Sequence, residues 1–151
     1  MYKTILVPLD RSKRAETILQ HVENLALKCK AKVIFMKVID VPPLNIAYSR
    51  KTFEQHRNEL EILEKRNGEY LANIQRVFRE NGIDASTYLT HGPVVQEIIT
   101  TAERENADLI AIASHGRGGL SRAFYGSVAA ALLQRIDRPL LLVRSRKVQV
   151  Q

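Results

Sequence analysis

The sequence predicts an α/β protein: a doubly wound sheet of five parallel strands with helices on both faces. Three observations lead there. Short runs rich in Val, Ile, Leu and Phe alternate with longer segments whose apolar residues recur at helical spacing. The run centres are apolar nearly throughout, as in strands covered on both faces. No repeat or low-complexity tract breaks the alternation. Such an order calls for a parallel sheet with right-handed crossovers.

Each element has its own signal. Thr4–Pro8 is the first strand, and Ser12 is placed to cap the helix that follows. In that helix Ala15, Ile18, Leu19, Val22, Leu25 and Ala26 form one apolar face. Lys32–Ile39 is the second strand. Val41-Pro42-Pro43 then ends regular pairing, because proline cannot donate to a ladder. From Phe53 to Glu80 an amphipathic helix carries Leu60, Leu63, Leu71, Ile74 and Val77/Phe78, with Asn81-Gly82 as its stop. Ala85–Thr90 is shorter and more polar, which suits a sheet edge. Gly92-Pro93 opens the next helix with proline at the first helical position; Val94, Val95, Ile98, Ile99 and Ala102 are its buried face. The strand Leu109–Ala113, a glycine-rich loop, a helix over Ser127–Ile136 and a last strand Pro139–Val143 complete the series.

Composition narrows the class. A chain of 151 residues with 45% hydrophobic and 26% charged residues reads as one soluble globular domain over 1–151. The first strand begins almost at once, so no signal peptide is expected, and no apolar run nears the roughly 20 residues of a membrane span. Cys29 is alone, excluding an internal disulfide or a cysteine metal cluster. The cytoplasm is the expected compartment. The net charge of +7 is uneven: residues 1–116 hold 16 Lys/Arg against 15 Asp/Glu, while 117–151 hold seven basic residues against Asp137. A basic surround therefore begins with the glycine-rich loop, as either a solvated face or an anion attractor. Nucleic acid is not expected as a partner, since interleaved stacking aromatics and zinc-finger or RRM signatures are lacking.

In doubly wound sheets, ligands bind beyond the carboxyl ends of strands where the strand order reverses. Asp10, Asp40 and Ser114–Gly119 all fall at that edge. Asp40 reads as a turn residue; Asp10 reads as a ligand contact ahead of a helix cap. Residues 113–127 hold four of the seven glycines and lead into a helix. Glycine lets backbone N–H groups come close to a ligand, and a helix N-terminus adds unpaired donors and a positive dipole end. A phosphate-bearing ligand is the expectation. His115 reads as a loop residue near phosphate, because no nucleophile or orienting carboxylate is matched to it. His21, His56 and His91 make no metal-ligand spacing. Neither a Gly-x4-Gly-Lys-(Ser/Thr) loop nor a Ser-Gly-Gly-x-Asp loop occurs, so an ATPase or nucleotidyl-transferring enzyme is not expected.

Val7-Pro8-Leu9-Asp10, Val38-Ile39-Asp40, Ser114-His115-Gly116-Arg117-Gly118-Gly119 through Gly126-Ser127, and Pro139–Val143 together resemble the universal stress proteins over essentially the whole chain. The resemblance implies a Rossmann-like fold of the adenine nucleotide α-hydrolase type. It also implies a stress-response regulatory protein, not an enzyme, that binds ATP (or ADP or AMP) with any Mg²⁺ held mainly by the phosphates. ATP-binding members carry Gly-x2-Gly-x9-Gly-(Ser/Thr); here Gly116, Gly126 and Ser127 match and Ala113 replaces the first glycine. By this resemblance Asp10, beside Pro8 and Leu9, contacts the ribose or adenine end. Val38 lies along the adenine and offers its backbone to the base edge, and Ile112 and Ala113 pass beneath the ribose. Gly116, Arg117, Gly126, Ser127 and Val128 surround the phosphates with His115 nearby. If Ala113 needed positive φ, alanine would cost about 1 kcal/mol or more; as an extended strand end it only adds a methyl group. The resemblance further implies a homodimer paired through Leu140–Val143, and a regulatory protein partner it does not identify. The alternative is a dimeric interaction protein of the same fold that works without nucleotide.

Overall fold

The computed structural model describes residues 1–40, 53–114 and 126–145. The Val41-Pro42-Pro43 break, His115 to Arg122 of the glycine-rich loop, and the tail from Arg146 lie outside them. Five strands form one parallel sheet: β1 (Thr4–Pro8), β2 (Lys32–Ile39), β3 (Ala85–His91), β4 (Leu109–Ser114) and β5 (Leu140–Arg144), ordered β3-β2-β1-β4-β5. The chain winds outward from β1 to one edge, then returns to β1's other side, so the order reverses between β1 and β4. The intervening helices are α1 (Ile18–Cys29), α2 (Phe53–Glu80), α3 (Val94–Arg104) and α4 (Gly126–Arg135).

Strand side chains point alternately to opposite faces, and the core divides accordingly. Ile5, Val7, Val33, Phe35, Leu109 and Ala111 meet Ile18, Val22 and Ala26 of α1 and Leu71 and Phe78 of α2. Leu6, Ile34, Met36, Val38, Ile110 and Ile112 meet Ile98 and Ala102 of α3 and Ala129 and Leu132 of α4. The rings of Phe35 and Phe78 pack edge to face at 4.7 Å, a geometry that adds about 0.5–1.5 kcal/mol to their burial. This two-sided covering explains the near-continuous apolar runs of β1, β2 and β4.

Three local expectations need correction. Ser12 does not cap α1; its Oγ accepts from Ala15 N (3.0 Å) and starts a separate 3₁₀ turn, Ala15–Thr17, that leads into the helix. Pro93 stands just outside α3, with ψ of 126°, so Val94 is the first helical residue. β3 and β4 each run one residue further than expected, to His91 and Ser114, and β5 runs from Leu140 to Arg144. β3 does lie at a sheet edge and β5 at the other, its four apolar residues only half-buried.

Candidate functional site

At the carboxyl ends of β1, β2 and β4, on the face covered by α3 and α4, the sheet opens into a crevice. Its walls bring together nine of the residues singled out from sequence: Pro8, Leu9, Asp10, Val38, Ile112, Ala113, Gly126, Ser127 and Val128. Three others, His115, Gly116 and Arg117, lie outside the described residues. Asp40 is exposed and does not line the crevice.

The floor is apolar because strand ends and the facing helices supply it: Met36, Val38 and Ile112 from the sheet, Val94 and Ile98 from α3, Ala129 from α4. Polar groups border this floor on two sides. On one side α4 begins at Gly126, whose φ of +69° suits glycine, and Ser127 places a hydroxyl in the first turn. The first N–H groups of a helix have no intrahelical acceptor and carry the positive dipole end, so this corner suits an anion.

The opposite side is the loop after β1. Asp10 Oδ1 accepts from Ser12 N (2.9 Å) and Ser12 Oγ (2.5 Å). Those bonds fix a tight turn that carries Arg11 at φ +69°, a conformation costing a non-glycine residue roughly 1 kcal/mol. Burial raises the pKa of Asp10, but the two Ser12 bonds and the charges of Arg14 and Lys37 outweigh it and hold the carboxyl below its ordinary value. Asp10 is thus both a turn-former and a charged wall of the crevice. Tyr70 of α2 approaches the same loop; burial, then Glu16 and Asp10, push its phenol upward.

Ala113 is extended, pairs with Val143 in the ladder, and is not among the non-glycine residues with positive φ. The alanine therefore carries no backbone penalty. Beside it Ser114 is buried, and its hydroxyl has no hydrogen-bond partner among the described residues.

Sequence reasoning missed Arg14, Ala15, Met36, Lys37, Val94, Ile98 and Ala129, all of which line the crevice. Most of these are apolar positions that read equally well as core. Lys37 did carry a signal, as the one charge between Val33 and Ile39 in a buried strand. Among the described residues no group of three or more His, Cys, Asp and Glu could hold a metal ion. Among them, too, no helix is long and apolar enough to cross a membrane.

The model of the universal stress protein family matches residues 1–144. Universal stress protein MJ0531 of Methanocaldococcus jannaschii is 30% identical over 97% of this chain and 85% of its own length. Universal stress protein MJ0577 of the same organism is also 30% identical, over 97% of both chains. The solved structure of MJ0577 superimposes with a TM-score of 0.81, covering 97% of this chain and 99% of that one. A universal stress protein from Archaeoglobus fulgidus, solved in complex with dAMP, shares the fold at 23% identity, with a TM-score of 0.63 over 94% of this chain and 98% of its own. On the family match and the relatives at 30% identity, this chain belongs to the universal stress protein family.

Proposed function

We propose that the crevice binds an adenine nucleotide, and that the protein acts as a dimeric, nucleotide-responsive regulator in the stress response, not as an enzyme. One observation carries the reading: an apolar slot at the strand-order reversal faces the Gly126–Ser127 start of α4, so a ring and a phosphate find matching surroundings in one crevice. Pro8, Leu9, Asp10, Val38, Ile112 and Ala113 would hold the nucleoside. Gly126, Ser127 and Val128, together with His115, Gly116 and Arg117, would hold the phosphates. Any Mg²⁺ would ride on the phosphates. The dAMP complex of the Archaeoglobus relative supports a purine nucleotide as ligand class. The unstrained backbone of Ala113 removes the chief reason to favour a nucleotide-free role.

Dimerisation is proposed through β5. Its outer edge has no strand partner among the described residues, and an apolar open edge invites pairing with a second copy. Residues 1–151 would act as one domain, in the cytoplasm, with a regulatory protein as the eventual reader of nucleotide occupancy.

One sample serves for the test: calorimetric titration with MgATP and AMP, with the mass read by light scattering. Expected are a dissociation constant near the micromolar range, about −8 kcal/mol, and a dimer mass. The absence of heat at protein concentrations suited to that affinity would sink the nucleotide reading, and a monomer mass the β5 pairing.

A further inference from the structure

Lys37 interrupts the apolar interior of β2 between Met36 and Val38, both buried, and is itself half-buried. Its Nζ turns back and donates to the carbonyl of Val38 at 2.9 Å. That carbonyl has a particular position. Alternate carbonyls of a strand face the same neighbour, so Val38 O lies on the side of Met36 O, which accepts Leu9 N at 2.8 Å. β1 pairs with β2 only as far as Pro8 opposite Met36. The Val38 carbonyl is therefore one step past the end of β1, at the mouth of the crevice. It borders the Val38, Ile98 and Ile112 floor, where a flat ring would lie.

We propose that Lys37 sets the specificity of the crevice for the ring edge of its ligand: it sets a cationic donor at the backbone acceptor that an exocyclic amino group would use, and offers that ammonium donor to an exocyclic oxo group. This rests on the nucleotide reading above and deepens it. A 6-amino purine brings a second donor to a carbonyl that already accepts from the Lys37 ammonium, whereas a 6-oxo purine can accept from that ammonium as it stands. Burial lowers the pKa of Lys37, with Asp10 and Asp40 opposing and Arg11 adding to the shift. The ammonium is thus partly stripped of water and depends on protein or ligand acceptors, as a buried donor does.

AMP and IMP differ in the 6-amino and 6-oxo group and the N1 proton that accompanies it, so they isolate this edge. Both are titrated into the wild-type protein, Lys37→Met and Lys37→Arg. Expected is a shift of the AMP-to-IMP affinity ratio toward AMP by roughly fivefold or more in Lys37→Met, the scale of one charge-assisted hydrogen bond. Lys37→Arg, which keeps a cationic donor, should stay nearer the wild-type ratio. If the ratio moves less than twofold in Lys37→Met, or moves toward IMP, Lys37 does not read the ring edge. Should Lys37→Arg match Lys37→Met, the donor role fails as well. If neither nucleotide binds the wild-type protein, the nucleotide reading itself falls, and this inference with it. Lys37→Ala is read in the same way should Lys37→Met not fold.

Discussion

At the amino ends of its strands the sheet is tied together, while at the carboxyl ends its polar groups are left facing a crevice. On the tied side Asp108 accepts from Lys3 N (2.8 Å) and Thr4 N (3.0 Å), fastening the start of β1 to the residue just before β4. Arg138 sends one guanidinium nitrogen to the carbonyls of both Ala102 and Ala107, each at 2.8 Å, closing the turn after α3. Lys30 and Asn106 take the left-handed conformation at helix ends, and the next residues bond back to Ala26 O and Ala102 O. On the open side Arg11 is held in a costly conformation, Lys37 bonds its own neighbour, and the Ser114 hydroxyl has no described partner. One edge spends its polar groups on the fold. The other sets charged and polar groups around a crevice.

Three experiments test this contrast. Arg138→Ala removes two charge-assisted bonds to carbonyls of buried residues. Stability to urea should fall by about 1–3 kcal/mol, while nucleotide affinity stays within about twofold. A parallel loss of affinity would mean that the tied edge also shapes the crevice. Gly126→Val forces a β-branched residue into positive φ at the start of α4. Here a smaller stability loss of about 1–2 kcal/mol should accompany at least a tenfold loss of affinity. Unchanged affinity would detach α4 from the site.

The smallest effect concerns Asp10. Because its folded pKa lies below the ordinary 3.8, the ionised carboxylate stabilises the fold above that value. The stabilisation is lost as pH falls through the lower folded pKa. Asp10→Asn should therefore be less stable than wild type at neutral pH, with the two denaturation midpoints converging as pH drops below 3.8. A gap that persists in acid would assign the role of Asp10 to shape, not charge.

What could be read in advance followed from local physics. β1, β2 and β4 announced themselves because strands covered on two faces must be apolar at nearly every position. The α4 corner was legible because few residues other than glycine tolerate the backbone of Gly126. Asp10 was visible from its place after a strand. Met36, Val94 and Ile98 were not separable from core, since a ring-sized slot and a packed interior ask for the same side chains. Nor were the ties of Asp108 and Arg138, which depend on groups brought together only by the finished sheet. Lys37 stood out in its strand, but its bond to Val38 O is a matter of side-chain path that no pattern encodes.

The central place of β1 has a consequence for how the protein is made. Of the five strands β1 is synthesised first; it is flanked by β2 on one side and β4 on the other, and β4 is encoded about 100 residues later. At roughly 5–20 residues per second of synthesis, one whole side of β1 waits on the order of 5–20 s for its partner. Until then Ile5, Leu6 and Val7, fully buried in the finished molecule, form an open strand edge. A strand wholly committed to the core is thus also the one longest exposed to mispairing during synthesis.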